Sequence, residues 1–392
     1  MTDSPLDAIR RCHDELTEIR RDLHAHPELG LEEHRTADLV AAKLAEWGIE
    51  VHRGVGGTGV VGVLRSGNGE DAIGLRADMD ALPIHEETGV PYASQNPGVM
   101  HACGHDGHTA MLLGATKYLA ETRNFDGTVY VIFQPAEENF GGGQIMVQEG
   151  LFERCPMEKV FGLHNWPTAP AGQFLWRVGP MMAAVAQIEI TITGKGAHGA
   201  HPEHGTDPIV IASQIVSALQ TIVSRTIDAT ESGVVTIGHI NGGFTHNVIP
   251  ESVHMKGTAR WFSPKIGDRL EAGVRRLATG IAESFGAAAD VKFERVYPAT
   301  VNDEAATELA VAAANAVVGD QRVNHMARPT MGGEDFSFML NAKQGAYLML
   351  GGARGKDDFM VHHPRYDFND AILPIGASYW ATLAEQLLPR KG

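Results

Sequence analysis

Cysteine is scarce: Cys12, Cys103 and Cys155 are the only three in 392 residues. So small and odd a count excludes a disulfide framework and leads us to expect a reducing compartment. Positive charge is also short. Lys and Arg total 32 against 48 Asp and Glu, a formal net charge of −16, which argues against nucleic acid and anionic membranes as partners. The N-terminal Met1-Thr2-Asp3-Ser4-Pro5 shows no basic segment followed by an apolar run, so no secretory signal is expected, and no apolar stretch reads as long enough to span a bilayer. Low-complexity tracts and internal repeats are missing as well. The expectation from these absences is a cytoplasmic protein. The remaining composition, 43% hydrophobic and 20% charged, is that of a globular chain. At roughly 150 residues per domain the length implies two or three domains.

Leu6, Ile9, Leu16, Ile19 and Leu23 recur at helical spacing after Ser4-Pro5, so the first element is expected to be one helix with Ser4 as its cap. Short apolar runs at 60–64, 73–75, 129–133 and 160–163, with a helical pattern at 107–121, alternate as in an α/β domain. From about residue 183 the order changes to strand, helix, strand, strand, helix, strand, ending near 297. This β-α-β-β-α-β order is the ferredoxin-like arrangement. Beyond it, a helix near 303–318 and a strand at 346–350 resume the α/β pattern. The expected organisation is a discontinuous α/β catalytic domain, residues 1–182 and 296–392, with a ferredoxin-like domain at 183–295 inserted.

The densest polar cluster is His101-Ala102-Cys103-Gly104-His105-Asp106-Gly107-His108, three histidines and a cysteine within eight residues. Thiolate and imidazole suit zinc and similar metals, whereas capping of a polar helix start explains the same residues without one. Glu137-Glu138 follows the strand at 129–133. Paired carboxylates there can divide into a metal ligand and a proton carrier, although a solvated acidic loop is the commoner fate of such a pair. His164 and His362-His363 also fall after expected strands, as do Asp78 and Asp80. Open α/β sheets bind ligands beyond the carboxyl ends of their strands, so the coincidence of all these residues on one rim favours a metal site. His24-Ala25-His26 imitates a metal-binding His-x-His pair. It follows a helix, however, and is better explained as helix-end packing and capping. In the insert, a His, an Asn and an Arg (His198, Asn247 and Arg260) are able to hydrogen-bond a carbonyl oxygen and a carboxylate.

Seven ordered segments carry a wider resemblance. They are Arg76-Ala77-Asp78-Met79-Asp80-Ala81-Leu82-Pro83, the cluster at 101–108, Gln134-Pro135-Ala136-Glu137-Glu138, the stretch at 194–202, Asn247-Val248-Ile249-Pro250, Met331-Gly332-Gly333-Glu334-Asp335-Phe336, and His362-His363-Pro364. With them the chain resembles the metal-dependent aminoacylase and carboxypeptidase family, and within it the hippurate hydrolases and auxin-conjugate amidohydrolases. The resemblance implies a zinc-peptidase-like α/β domain whose inserted ferredoxin-like α+β domain serves as lid and dimerisation unit, giving a homodimer or a dimer-based oligomer. It also implies two divalent metal ions per subunit (zinc, manganese, nickel or cobalt) held by Cys103, His105, Glu138, His164 and His362. The family's His-x-Pro pattern selects His362 over His363. Glu137 becomes the general base, His198 a stabiliser of the oxyanion, Asn247, Arg260, Gly332 and Gly333 the substrate-binding groups, and Asp80 a support to the ligands. Asp78 stands where the wider family has a metal-binding histidine, so its role stays open. The implied reaction is hydrolysis of an N-acyl amino acid to a carboxylic acid and a free amino acid. Three alternatives remain: a deacetylase of N-acetyl-diaminopimelate type or a dipeptidase with the same chemistry, a metal-dependent small-molecule binding protein without turnover, and a structural zinc domain. The last usually draws its ligands from close in sequence, unlike Cys103 and His362.

Overall fold

The computed structural model describes residues 4–326, 328–355 and 358–390. They fall into two units. The larger comprises Met1–Met181, Thr300–Pro329 and Asp335–Gly392, and the smaller Met182–Ala299 and Thr330–Glu334. Residues 330–334, which the sequence assigns to the flanking segment, thus pack with the insert.

The larger unit is built on an eight-stranded sheet ordered Glu50–Val55, Gly59–Ser66, Gly127–Gln134, Ala72–Asp78, Lys159–Pro170, Gln344–Ala353, Phe174–Trp176, Val323–His325. Its centre is parallel: Ala72–Asp78 runs beside Gly127–Gln134 and Lys159–Pro170, and the last runs beside Gln344–Ala353. Every residue of Ala72–Asp78 is buried, as expected of a strand covered on both faces. The helix His105–Thr122 is buried nearly all round, including Ala110, Met111, Leu112, Leu113 and Leu119. A helix without a polar face belongs in a core, and this one packs on the sheet with the C-terminal helix Leu373–Leu387 and the helix His13–Ala25. The chain enters His105–Thr122 through Gly104 at φ +90°, a conformation that costs glycine little.

Two expectations need correction here. The first helix is two, Pro5–Arg10 and His13–Ala25. Ser4 does cap the first, but the apolar stripe has no member between Ile9 and Leu16, and the chain breaks in that gap. His164 also lies within its strand, Lys159–Pro170, rather than after it.

The smaller unit carries a four-stranded antiparallel sheet ordered Gly233–Gly242, Ser252–Trp261, Ala184–Thr193, Ala288–Tyr297. The helices Pro208–Thr226 and Pro264–Ser284 join its strands in the expected β-α-β-β-α-β order. Ile266, Leu270, Val274, Ala278 and Ala282 form the buried stripe of the second helix. Asp207 caps the first by accepting from the N–H groups of Ile209 and Val210. Contrary to the expectation that no stretch suffices, Pro208–Thr226 is long and apolar enough to cross a membrane by length and composition. Its Ile211, Ala212, Ile215, Leu219 and Ile222 are buried in the core of this unit.

Candidate metal centre

The parallel strands deliver their carboxyl ends to one rim, and the polar side chains meet there. The ligand atoms of Cys103, His105 and His164 lie within 4.8 Å of one another, as do those of Cys103, Glu138 and His362, and those of His105, Glu137 and Glu138. All six residues are therefore linked through shared members. A further group, Asp78, His105 and His108, meets the same criterion, but His108 is already occupied. Its Nδ1 is 2.6 Å from Asp78 Oδ1 and its Nε2 accepts the Asn165 N–H at 2.9 Å.

Second partners fix the ring orientations. His105 Nδ1 is 3.1 Å from Asp80 Oδ1, while its buried Nε2 makes no hydrogen bond. His164 Nδ1 lies 2.6 Å from the Asn165 carbonyl, which leaves Nε2 facing Cys103 Sγ at 3.3 Å. Both rings thus donate at Nδ1 and present Nε2 to the cluster, the usual arrangement of metal-ligating imidazoles. His362 Nε2 is 3.1 Å from Glu138 Oε1. His363 turns away, stacked on Phe359 with its Nδ1 accepting the Arg365 N–H. His362 itself sits at φ +69°, its N–H bonded to the Ala102 carbonyl.

Burial and crowded carboxylates shift the titrating groups of the cluster. Burial, with Glu138, Glu137 and Asp78 close by, pushes the Cys103 thiol well up. Burial and the neighbouring His108 hold His164 well below the usual imidazole range. Burial also opposes charge on His105, yet Asp78, Asp80 and Glu138 lift it to about 10. A thiol, imidazoles and carboxylates gathered in a buried place, one ring nitrogen unpartnered, match the donor set of a borderline divalent metal. On this ground the residues fit such ions.

Beneath the cluster runs a buried network that the sequence does not disclose. Arg76 donates to Asp78 at 2.7 Å, to Asp335 at 3.1 Å and to Gln134 at 2.9 Å. Burial works against the Asp78 carboxylate, but His105, Arg76 and His108 hold it well below the usual range. Asp335 also accepts from Gln134 and from the Gly143 N–H. Asn165 donates to the Cys103 carbonyl at 2.6 Å and accepts from the Tyr366 hydroxyl at 2.7 Å. The decoy His24 is more than a helix end: its buried ring lies 2.8 Å from Asp106 and 3.3 Å from Glu86. Arg76, Gln134 and Asn165 all sit in or beside the motifs, but nothing local reveals whom they bond.

In the smaller unit two pairs form. His198 and Asn247 adjoin through the short ladder of Ala197–His198 with Val248–Ile249, and the Gly199 N–H bonds the Asn247 carbonyl at 2.7 Å. His198 Nδ1 accepts the Ala200 N–H at 3.0 Å, which assigns the proton to Nε2 and makes that nitrogen a donor. A Cβ on Gly333 would lie 3.5 Å from Arg260 Nη1, so the Gly332-Gly333 backbone runs beside the guanidinium. The Gly332 carbonyl accepts from the Ala183 N–H.

Residues 74–386 match the profile of peptidase family M20/M25/M40. The chain is 43% identical over 374 residues to a hippurate hydrolase of Campylobacter jejuni, covering 95% of this chain and 97% of that protein. It is 40% identical over 377 residues to an IAA-amino acid hydrolase of Arabidopsis thaliana, covering 94% and 85%. Among solved structures, the YXEP protein of Bacillus subtilis, described as a dinuclear metal binding peptidase from the M20 family, superposes with a TM-score of 0.83 at 35% identity, covering 97% and 99%.

Proposed function

Because the chain belongs to peptidase family M20/M25/M40, we infer that it is a metal-dependent amidohydrolase cleaving N-acyl amino acids, with Glu137 as its proton carrier. The observation that carries the reading is the convergence of Cys103, His105, Glu138, His164 and His362 into overlapping donor groups, with Glu137 in the same cluster. In this reading those five residues hold divalent ions, two by the example of the YXEP protein, and Asp80 orients His105. When bound, such ions act as Lewis acids and bring a water's pKa toward neutrality. Glu137 takes the proton of the attacking water and delivers it to the departing amide nitrogen. His198, a donor at Nε2, hydrogen-bonds the carbonyl oxygen as charge gathers there. Arg260 and Asn247, with the Gly332-Gly333 backbone, hold the carboxylate of the amino-acid half. A local guanidinium explains how a chain of net charge −16 accepts an anionic substrate.

The test is a substrate panel. Protein reconstituted in turn with zinc, manganese, nickel and cobalt is assayed on acetyl, benzoyl and indoleacetyl amino acids and on dipeptides. Hydrolysis of acyl amino acids, abolished by a chelator and restored by metal, is expected. A metal-loaded protein that binds these compounds and turns over none of them defeats the reading.

The smaller unit supplies the dimer contact in the same proposal. Gly233–Gly242 is an edge strand, and Ile240, Phe244, Ile209 and Val210 are exposed beside it or on the neighbouring helix. Open edges and clustered apolar side chains are features that assembly covers. In sedimentation velocity the protein should run as a dimer, and the Val210→Lys/Phe244→Lys variant as a monomer. A wild type that stays monomeric at micromolar concentration refutes this part.

A further inference from the structure

We propose that Glu33 is a positioning residue that aims Glu137 by clamping the backbone of Ala136; the proposal rests on Glu137 being the proton carrier. Glu33 opens the helix His34–Glu46 and is wholly buried. One carboxylate oxygen accepts the Ala136 N–H at 2.8 Å, and the other accepts the Thr58 hydroxyl. Burial pushes its carboxyl up to about 7 against the pull of these donors. A carboxylate taken out of water needs such partners, and the backbone donor it has found lies one residue before Glu137.

Ala136 needs holding. It sits at φ +53°, in the left-handed region that residues with a Cβ enter only under constraint. Relaxation of Ala136 to an ordinary φ would swing the following residue, and Glu137 with it. The loop is pinned on every side of that residue. The Ala136 carbonyl accepts the Gly142 N–H at 3.0 Å, and the Glu138 N–H donates to Asp80 at 2.9 Å. Gly30 presses against the same spot, where a Cβ would lie 3.0 Å from both Cα and Cβ of Ala136. Asp80 thus anchors the far side of Glu137 while also orienting His105, and Glu33 anchors the near side from another part of the chain.

The experiment compares Glu33→Ala with Glu33→Gln. A glutamine oxygen still accepts from Ala136 while its amide donates to the Thr58 oxygen. In Glu33→Ala, kcat on a benzoyl amino acid should fall about 10- to 100-fold, the loss associated with small misplacement of a reacting group. KM should stay within about twofold and metal content should be unchanged; Glu33→Gln should recover kcat to within about threefold of wild type. Gly30→Ala, which crowds Ala136 from the other side, should lower kcat in the same selective way and serves if Glu33→Ala does not fold. Unchanged kcat in Glu33→Ala, a glutamine variant as impaired as the alanine one, or a loss borne by KM or metal content overturns the proposal. Glu137→Gln is measured alongside. If that variant is inactive while Glu33→Ala is normal, only the clamp fails; if Glu137→Gln is active, the reading beneath it fails.

Discussion

Glu137→Gln is expected to lower kcat for acyl amino acid hydrolysis by about a thousandfold, within the usual range for loss of a general acid–base group. The side chain keeps its size and one oxygen acceptor but has no lone-pair site basic enough to take a proton from water. The loss should be selective. Glu137 shares a donor group with His105 and Glu138, yet Cys103, His105 and His164 form a group without it. Metal content by mass spectrometry should therefore remain at the wild-type level. KM should move little, since the carboxylate end of the substrate is assigned to Arg260 and Asn247. A variant that retains metal and keeps more than about a tenth of wild-type kcat is incompatible with Glu137 as the proton carrier.

The second large effect falls on stability. Arg76, Asp78 and Asp335 are all fully buried, and one guanidinium serves both carboxylates and Gln134. Arg76→Leu removes the guanidinium that both carboxylates share, leaving Asp78 to the imidazoles of His105 and His108 and Asp335 to neutral donors such as Gln134 and the Gly143 N–H. Breaking a buried pair this way costs about 3–5 kcal/mol, more than surface ion pairs ever return. Denaturant unfolding of the variant, followed by a probe on the larger unit, should show a loss of this size. Arg76→Lys should recover only part of it, because an ammonium cannot reproduce the forked contacts. A loss below about 1 kcal/mol would mean that water or a proton compensates the carboxylates, and the network would have no structural weight.

The candidate centre was legible where its residues are local and chemically loud. Cys103 and His105 sit in one eight-residue cluster, and the paired glutamates follow a strand whose apolar run is plain. His362 joins them because parallel strands bring their ends together whatever the spacing in sequence, and His164 meets them from inside its strand Lys159–Pro170. Glu33 is silent in the sequence for the opposite reason. It lies 103 residues from the N–H it binds, in a helical pattern where a glutamate is ordinary. Asp335 likewise reaches Gln134 across 201 residues, and no periodicity encodes such a partner. The break at Arg11 and Cys12 was hidden because the stripe on either side keeps helical spacing. The apolar character of Pro208–Thr226 is masked in the sequence because its serines, threonines and glutamines interrupt the run without making it polar.

Cys103 has a consequence for how the cluster tolerates damage. Its sulfur is a member of two donor groups, one with His105 and His164, the other with Glu138 and His362. Losing His164 or His362 thins one of these and spares the other, while losing the sulfur takes a corner from each. His105 and Glu138 are shared in the same way, each joining Glu137 in a further group, so the arrangement is a web in which the loss of any of these three corners opens more than one group at once.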